Sequence, residues 1–279
     1  MKADSQRVIS LVPSLTETLL DWGITPIACT RFCEQPTLAH VGGTKDPDLS
    51  AIVSLAPTMV LMDREENRRE DAEALSASGI EVFATHVTSV ADVAPTLVGL
   101  RKRLGLAEIE LVMSAVVVVQ PVERTAFVAI WRRPWMTCNA GTYGSSLLAS
   151  IGVTNVFADQ ASTYPVVELV DVADLRPDLV VLPSEPYPFA ARHVGEVSRA
   201  VPGSEVCLVD GRDLFWWGTR TQRARTRLAQ ALGADGGASG AVVGESDLGA
   251  GPNDAVDHQP HQRLEVANGG PGAGAEETV

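Results

Sequence analysis

In the stretch AIWRRPWMT, Ala129 to Thr137, two tryptophans and two arginines surround a proline, directly after an apolar run that ends at Ile130. Ring faces stack on a flat ligand and guanidinium groups meet its polar edges, so such a cluster can wall a binding site. A second aromatic group, FWWGTR from Phe215 to Arg220, follows the apolar run ending at Val209, and Tyr143 follows Gly141 and Thr142. Four of the five tryptophans thus stand after apolar runs in one half of the chain, whereas a core would space them helically or alternately. They read together as a π-rich ligand wall, with Trp131, Trp135, Tyr143 and Trp217 as contacts.

The first half offers polar groups at matching places. Ser14 and Glu17 in PSLTE have capping-box spacing, and a helix start there presents its positive end to an anionic ligand group. TRFCEQP sets Arg31 beside Phe32, and Gly42 and Gly43 permit close backbone approach. In DREENRRED, acids precede arginines as in a solvated helix start, and Arg64 stands nearest the preceding apolar run. Cys29, Cys33 and His40 match no zinc spacing and lack a fourth ligand, so no protein-bound metal is expected. His86, His193, Asp63 and Glu185 are the candidates for acid–base chemistry. No G-x-S-x-G, P-loop or dinucleotide fingerprint accompanies them, so the catalytic set is read as empty.

The elements that must position these groups repeat. Val8 to Val12 reads as a buried strand followed by the helical LTETLLDWGI, and Ala126 to Trp131 as a strand followed, after a loop, by GSSLLASIGV. LSAIVSLAPTMVLM and LVDVADLRPDLVVLP are each a helix stopped at a proline, Pro57 or Pro177, and then a buried strand. Glu81 to Thr85 and Glu205 to Val209 complete the two halves. Alternating strands and helices in two copies predict an α/β protein of two Rossmann-like lobes with parallel sheets. A ligand cleft is expected where the strand ends face each other. The boundaries expected are 1–88 for the first lobe, 89–122 for a helical bridge, 123–233 for the second lobe and 234–279 for a tail. Within the bridge, four valines after Ala115 favour strand over helix.

Of the 279 residues, 45% are hydrophobic, and the net charge is −13. The tail carries eight acids against Arg263, ten glycines and no aromatic residue, so it is expected to be disordered. No basic stripe supports nucleic-acid binding. No segment approaches the roughly 20 apolar residues of a membrane helix. The first residues, MKADSQRVISLVPS, show no secretory signal, and four scattered cysteines suit reduced thiols; both place the chain in the cytoplasm. The alternative is the cell envelope, if the N-terminus is misassigned.

RVISLVPSLTETLLDWG, VGGTKDPDLSAIVSLAPTMVLMDREENRRED and LRPDLVVLPSEPYPF resemble the class III substrate-binding proteins of vitamin B12 and iron-siderophore uptake, the helical-backbone metal receptor family. The resemblance spans about residues 7 to 230. It implies a long bridging helix, little hinge motion, no catalysis and no intrinsic cofactor. The ligand it implies is a chelated metal compound, a cobalamin or a ferric siderophore, handed as a monomer to an ABC transporter permease. By position it implies that Pro13, Ser14, Arg31, Phe32, Arg64, Trp131, Trp135, Tyr143 and Trp217 line the cleft. It further implies that Glu66, Glu70 and Glu185 on the outer rims dock the transporter. Two other readings compete with it: a cytosolic enzyme that modifies a corrinoid or tetrapyrrole, and a regulatory protein whose acidic tail meets a partner.

Overall fold

The computed structural model describes residues 6–107 and 123–234. The first lobe contains β1 (Val8–Ser10), α1 (Pro13–Asp21), β2 (Ala28–Cys29), β3 (Ala39–His40), α2 (Leu49–Ser54), β4 (Met59–Asp63), α3 (Arg69–Ala77) and β5 (Glu81–Thr85). Its strands form one parallel sheet in the order β3-β2-β1-β4-β5. Next comes α4 (Val90–Arg103), started by Ser89, whose hydroxyl and backbone N–H both donate to the Asp92 carboxylate.

The second lobe contains β6 (Arg124–Val128), β7 (Trp135–Met136), α5 (Tyr143–Ala149), β8 (Val153–Asn155), β9 (Val166–Val167) and α6 (Leu169–Leu175). It continues through β10 (Leu179–Pro183), α7 (Ala191–Ala200), β11 (Glu205–Val209), α8 (Gly211–Phe215) and α9 (Thr221–Ala231). Its parallel sheet runs β11-β10-β6-β8, the order of the first lobe without the β3 edge, and β7 and β9 form a separate antiparallel pair. The duplicated α/β plan read from the sequence is therefore present. Even the helix exits repeat: Ala56 (φ 44°) and Arg176 (φ 49°) take left-handed conformations immediately before Pro57 and Pro177. A following proline disfavours the right-handed helical region, which is why both helices stop there.

Alternation along the central strands sends side chains to two different cores. Val8, Met59 and Leu61 of the first sheet and Ala126, Val128, Leu179 and Val181 of the second belong to one shared core, with Leu15, Leu97 and Leu147 from the helices between. The opposite faces build separate cores, with Ile9, Val60 and Met62 in one lobe and Phe127, Val180 and Leu182 in the other. The lobes are thus welded by a common apolar layer. Gly218 marks how close they come: a Cβ there would stand 2.3 Å from the Thr18 hydroxyl, and its φ of +133° suits only glycine.

Two boundaries differ from the sequence reading. β1 ends at Ser10 and β6 at Val128, earlier than expected, because Leu11 and Ala129 still bond to neighbouring strands while the chain already turns outward. Residues 108–122 of the bridge, with the Ala115–Val119 block, and nearly all of the acidic tail lie outside the described residues. Among the described residues no helix is long and apolar enough to cross a membrane.

Candidate functional site

The carboxyl ends of the two sheets face one another, and contacts between their loops show it directly. The loop after β2 carries Glu34, which pairs with Arg212 of α8 at 3.0 Å. The loop after β4 carries Glu65, whose carboxylate accepts from the Tyr164 hydroxyl at 3.1 Å, while Lys45 donates to the Glu65 carbonyl at 2.7 Å. Beside these contacts the strand ends bring together Asp63, Glu66 and His86 from the first lobe and Glu185 and Trp216 from the second.

Each lobe fixes its groups locally. Asp63 ends β4, 5% exposed, and accepts from the Thr85 hydroxyl (2.6 Å) and the Glu65 N–H (2.9 Å). Asn67 accepts from the Asp63 N–H and donates to the carbonyls of Thr44 and Leu11, tying the loop to β1. Glu66 between them is held mostly protonated near neutrality. Burial pushes its carboxyl up to about 8, and Asp63, Cys33 and Glu185 add repulsion that Lys45 only partly offsets. In the second lobe Trp216 donates its indole N–H to Glu185 (3.1 Å), and burial raises that carboxyl too.

The aromatic cluster around Pro134 has its own packing. Trp131 meets Tyr187 edge-on at 5.6 Å, Trp135 stacks on Phe189 at 5.8 Å and 8°, and His193 packs edge-on to both Tyr187 and Phe189. Trp131 and Trp135 are half-buried, so each keeps ring surface in solvent while Phe189 closes the back. In the first lobe Arg31 lies over the Phe32 ring at 4.7 Å and pairs with Asp46 at 3.0 Å, and Phe32 is 39% exposed. Arg64 is exposed at the end of β4.

Several expected contacts lie elsewhere. Trp217, 4% exposed, and Tyr143, 5% exposed with its hydroxyl on Thr221, are in the shared core and not on the cleft wall. Trp216, next to Trp217 and the extended C-cap of α8, is half-buried instead: neighbours in an extended chain point opposite ways, and only the fold says which points in. Pro13 and Ser14 are buried in the first turn of α1, whose cap is Val12. The capping box is absent. The Ser14 hydroxyl has no partner, and Glu17 reaches across to Arg220 at 2.6 and 2.8 Å. Gly42, at φ +88°, serves its own turn, where a Cβ would meet the Asp46 carbonyl at 2.5 Å.

The rim assignment also changes. Glu66 and Glu185 stand near enough to repel one another although separate outer rims were expected for them, and of the three glutamates only Glu70, on α3, is exposed. Sequence reading missed Glu34, Glu65, Tyr164, Tyr187 and Arg212. Tyr187 was visible in LPSEPYPF as an aromatic after a strand, whereas the ion pair of Glu34 with Arg212 spans 178 residues and leaves no local trace. Among the described residues no group of three metal-ligating side chains forms. Asp63 bonds Thr85, His193 accepts from the Ala190 N–H and Glu185 binds Trp216, so three of the four acid–base candidates have separate partners.

One pH effect follows from Glu66. An acid whose carboxyl titrates higher in the folded chain than in the unfolded one stabilises below its unfolded value, 4.5, and loses that contribution as pH rises through about 8. Glu66→Gln is therefore expected to flatten the fall in stability between pH 5 and pH 9. At pH 9 the variant gains on the order of 1–2 kcal/mol over the wild type, allowing for partial exposure, since one pKa unit is about 1.4 kcal/mol. Urea titrations of both chains at several pH values check this.

No protein-family model matches the chain. A vitamin B12-binding protein of Salmonella paratyphi A is 26% identical over 190 residues, covering 63% of this chain and 71% of that protein. The periplasmic vitamin B12 binding protein BtuF of Vibrio cholerae superposes with a TM-score of 0.67 at 19% identity, over 83% of this chain and 98% of that one. The periplasmic heme-binding protein RhuT from Roseiflexus sp. RS-1 superposes with a TM-score of 0.69 at 19% identity, over 83% and 99%. The cytoplasmic placement read from the first residues and the cysteines is overturned by these neighbours, which are periplasmic proteins and point to the cell envelope.

Proposed function

We propose that this chain, a member of the class III substrate-binding protein family, holds a chelated metal compound in its interlobe cleft without transforming it. One observation carries the reading: aromatic rings that keep solvent-facing surface, the Trp131 and Tyr187 pair in the second lobe and Phe32 in the first, stand on loops that follow strands of the two parallel sheets. The sequence relative named for vitamin B12 and the structural neighbours named for vitamin B12 and heme support a broad, largely flat ligand.

The contacts proposed on the first lobe are Arg31, Phe32 and Arg64, and on the second Trp131, Trp135, Tyr187 and Trp216. Glu70, exposed on α3, stays as the proposed contact to a transporter permease. Ligand entry must pass the Glu34 to Arg212 and Glu65 to Tyr164 bridges, which are exposed and therefore weak, of the order of 1 kcal/mol or less each. The common core beneath them resists hinge opening, so the two lobes are proposed to stay nearly rigid on binding.

Calorimetric titration of the full chain with cyanocobalamin, hemin and a panel of ferric siderophores tests the proposal. One-to-one heat with at least one of them is expected. No heat with any removes it and leaves the enzyme and partner-protein readings.

A further inference from the structure

Outside the aromatic walls, one cluster of reactive side chains has no part in the ligand reading. Cys29 ends β2 and Cys33 closes the turn that follows, where its N–H bonds the Thr30 carbonyl at 3.1 Å. The two thiols lie close enough to interact directly. Around Cys33 the hydroxyls of Thr16 and Thr30 both stand 3.2 Å from its sulfur. Cys29 is fully buried, whereas Cys33 keeps an edge of 4% exposure.

Those surroundings treat the two sulfurs unequally. The hydrogen bond from Cys29, followed by those from Thr16 and Thr30, holds the Cys33 thiol down at about 6 against the opposing effect of burial, while Cys29 is pushed up. The other two cysteines lack this arrangement: burial raises Cys138, and raises Cys207 to about 11 although it is the more exposed at 8%.

We propose that Cys29 and Cys33 form a redox-active dithiol, in which Cys33 attacks a low-molecular-weight disulfide and Cys29 resolves the mixed disulfide into an intrachain bridge. In the first step the Cys33 thiolate bonds to one sulfur of the disulfide RSSR, whose S–S bond breaks, and RS⁻ leaves and takes up a proton. In the second, Cys29 gives up its proton and attacks the Cys33 sulfur, a second RS⁻ leaves and is protonated, and Cys29 and Cys33 are joined. Two protein thiols are oxidised and one RSSR is reduced to two RSH. Exposure sets the order, because Cys29 is fully buried while Cys33 keeps 4% of its surface exposed. The bridge would pin to β2 the turn that carries Arg31 and Phe32. An oxidising compartment such as the cell envelope supplies the conditions.

Incubating the folded full chain with oxidised glutathione, followed by intact mass and peptide mapping, tests the inference. The wild type is expected to lose two hydrogens and to yield a peptide cross-linked between Cys29 and Cys33. Cys29→Ser is expected to stop at one glutathione on Cys33, and Cys33→Ser to leave Cys29 a free thiol. Labelling of the wild type with iodoacetamide at pH 7 gives a measurement that needs no variant, with Cys33 expected to react ahead of Cys207. The inference is overturned if Cys138 or Cys207 takes the glutathione or the label first. It is equally overturned if the wild type keeps both thiols free while the urea-unfolded chain oxidises.

Discussion

Replacing Arg220 with methionine is expected to lower unfolding stability by about 3 kcal/mol, the lower end of what breaking a buried ion pair costs. The Arg220 side chain is 11% exposed and joins the two lobes, donating to Glu17 of α1 through two nitrogens and to Asp213 of α8 at 3.0 Å. Methionine keeps an apolar stem but removes the guanidinium, which stands over the Trp216 ring at 5.3 Å, so the loss measures the charge with its bonds and that ring contact. Asp213, 5% exposed, is left with Arg227 as its remaining ion-pair partner, which keeps the effect below the upper end of the range. Neighbouring contacts of the same seam, Thr219 and Arg223 on Asp21, are more exposed and do not replace it. A urea midpoint within about 0.5 kcal/mol of the wild type, as for an ordinary surface change, would mean that the seam is solvated and the lobes are held by apolar packing alone.

Trp217→Ala and Trp131→Ala are expected to fail in opposite ways. Trp217 is 4% exposed in the core shared by both lobes, so truncation should remove about 3–5 kcal/mol of stability, as for other buried large-to-alanine changes. Affinity for the chelate, measured where the variant is still folded, should stay within about twofold, because the ring does not reach the cleft. Trp131 is half-buried against Tyr187, and its edge-on contact is worth only about 0.5–1.5 kcal/mol. Its loss should leave the fold nearly intact and weaken ligand binding about tenfold or more, that is by at least about 1.4 kcal/mol. Paired denaturation and titration of the two variants separate core from wall. Equal losses of stability and affinity in Trp131→Ala would return that residue to the core.

Much of the architecture was legible because it is written in local pattern. Two apolar runs after Pro57 and Pro177, each preceded by a short helix, forced two parallel sheets, and alternation along them decided which residues face the shared core. That aromatic side chains cluster after β6 was legible for the same reason. What the sequence could not carry was orientation at single positions: Trp216 and Trp217 are chemically equal neighbours, and one stays half-buried on Glu185 while the other turns to the core. Nor could it carry pairing across the lobes. Glu17 looked like half of a capping box until Arg220, 203 residues away, took its carboxylate. Glu66 looked like a rim acid until the loop brought it beside Asp63 and Glu185, where burial makes it a proton-bearing group.

The central claim is that the ligand lies between the lobes, against Trp131 and Tyr187 on one side and Phe32 on the other. A crystal structure of the full chain, grown with the chelate that gives heat on titration, tests it most directly. The account predicts one macrocycle or chelate seated at the facing strand ends, in contact with Trp131, with the sheets superposing closely on the ligand-free lobes. A ligand bound on an outer face, or one that parts the shared core to enter, would contradict it.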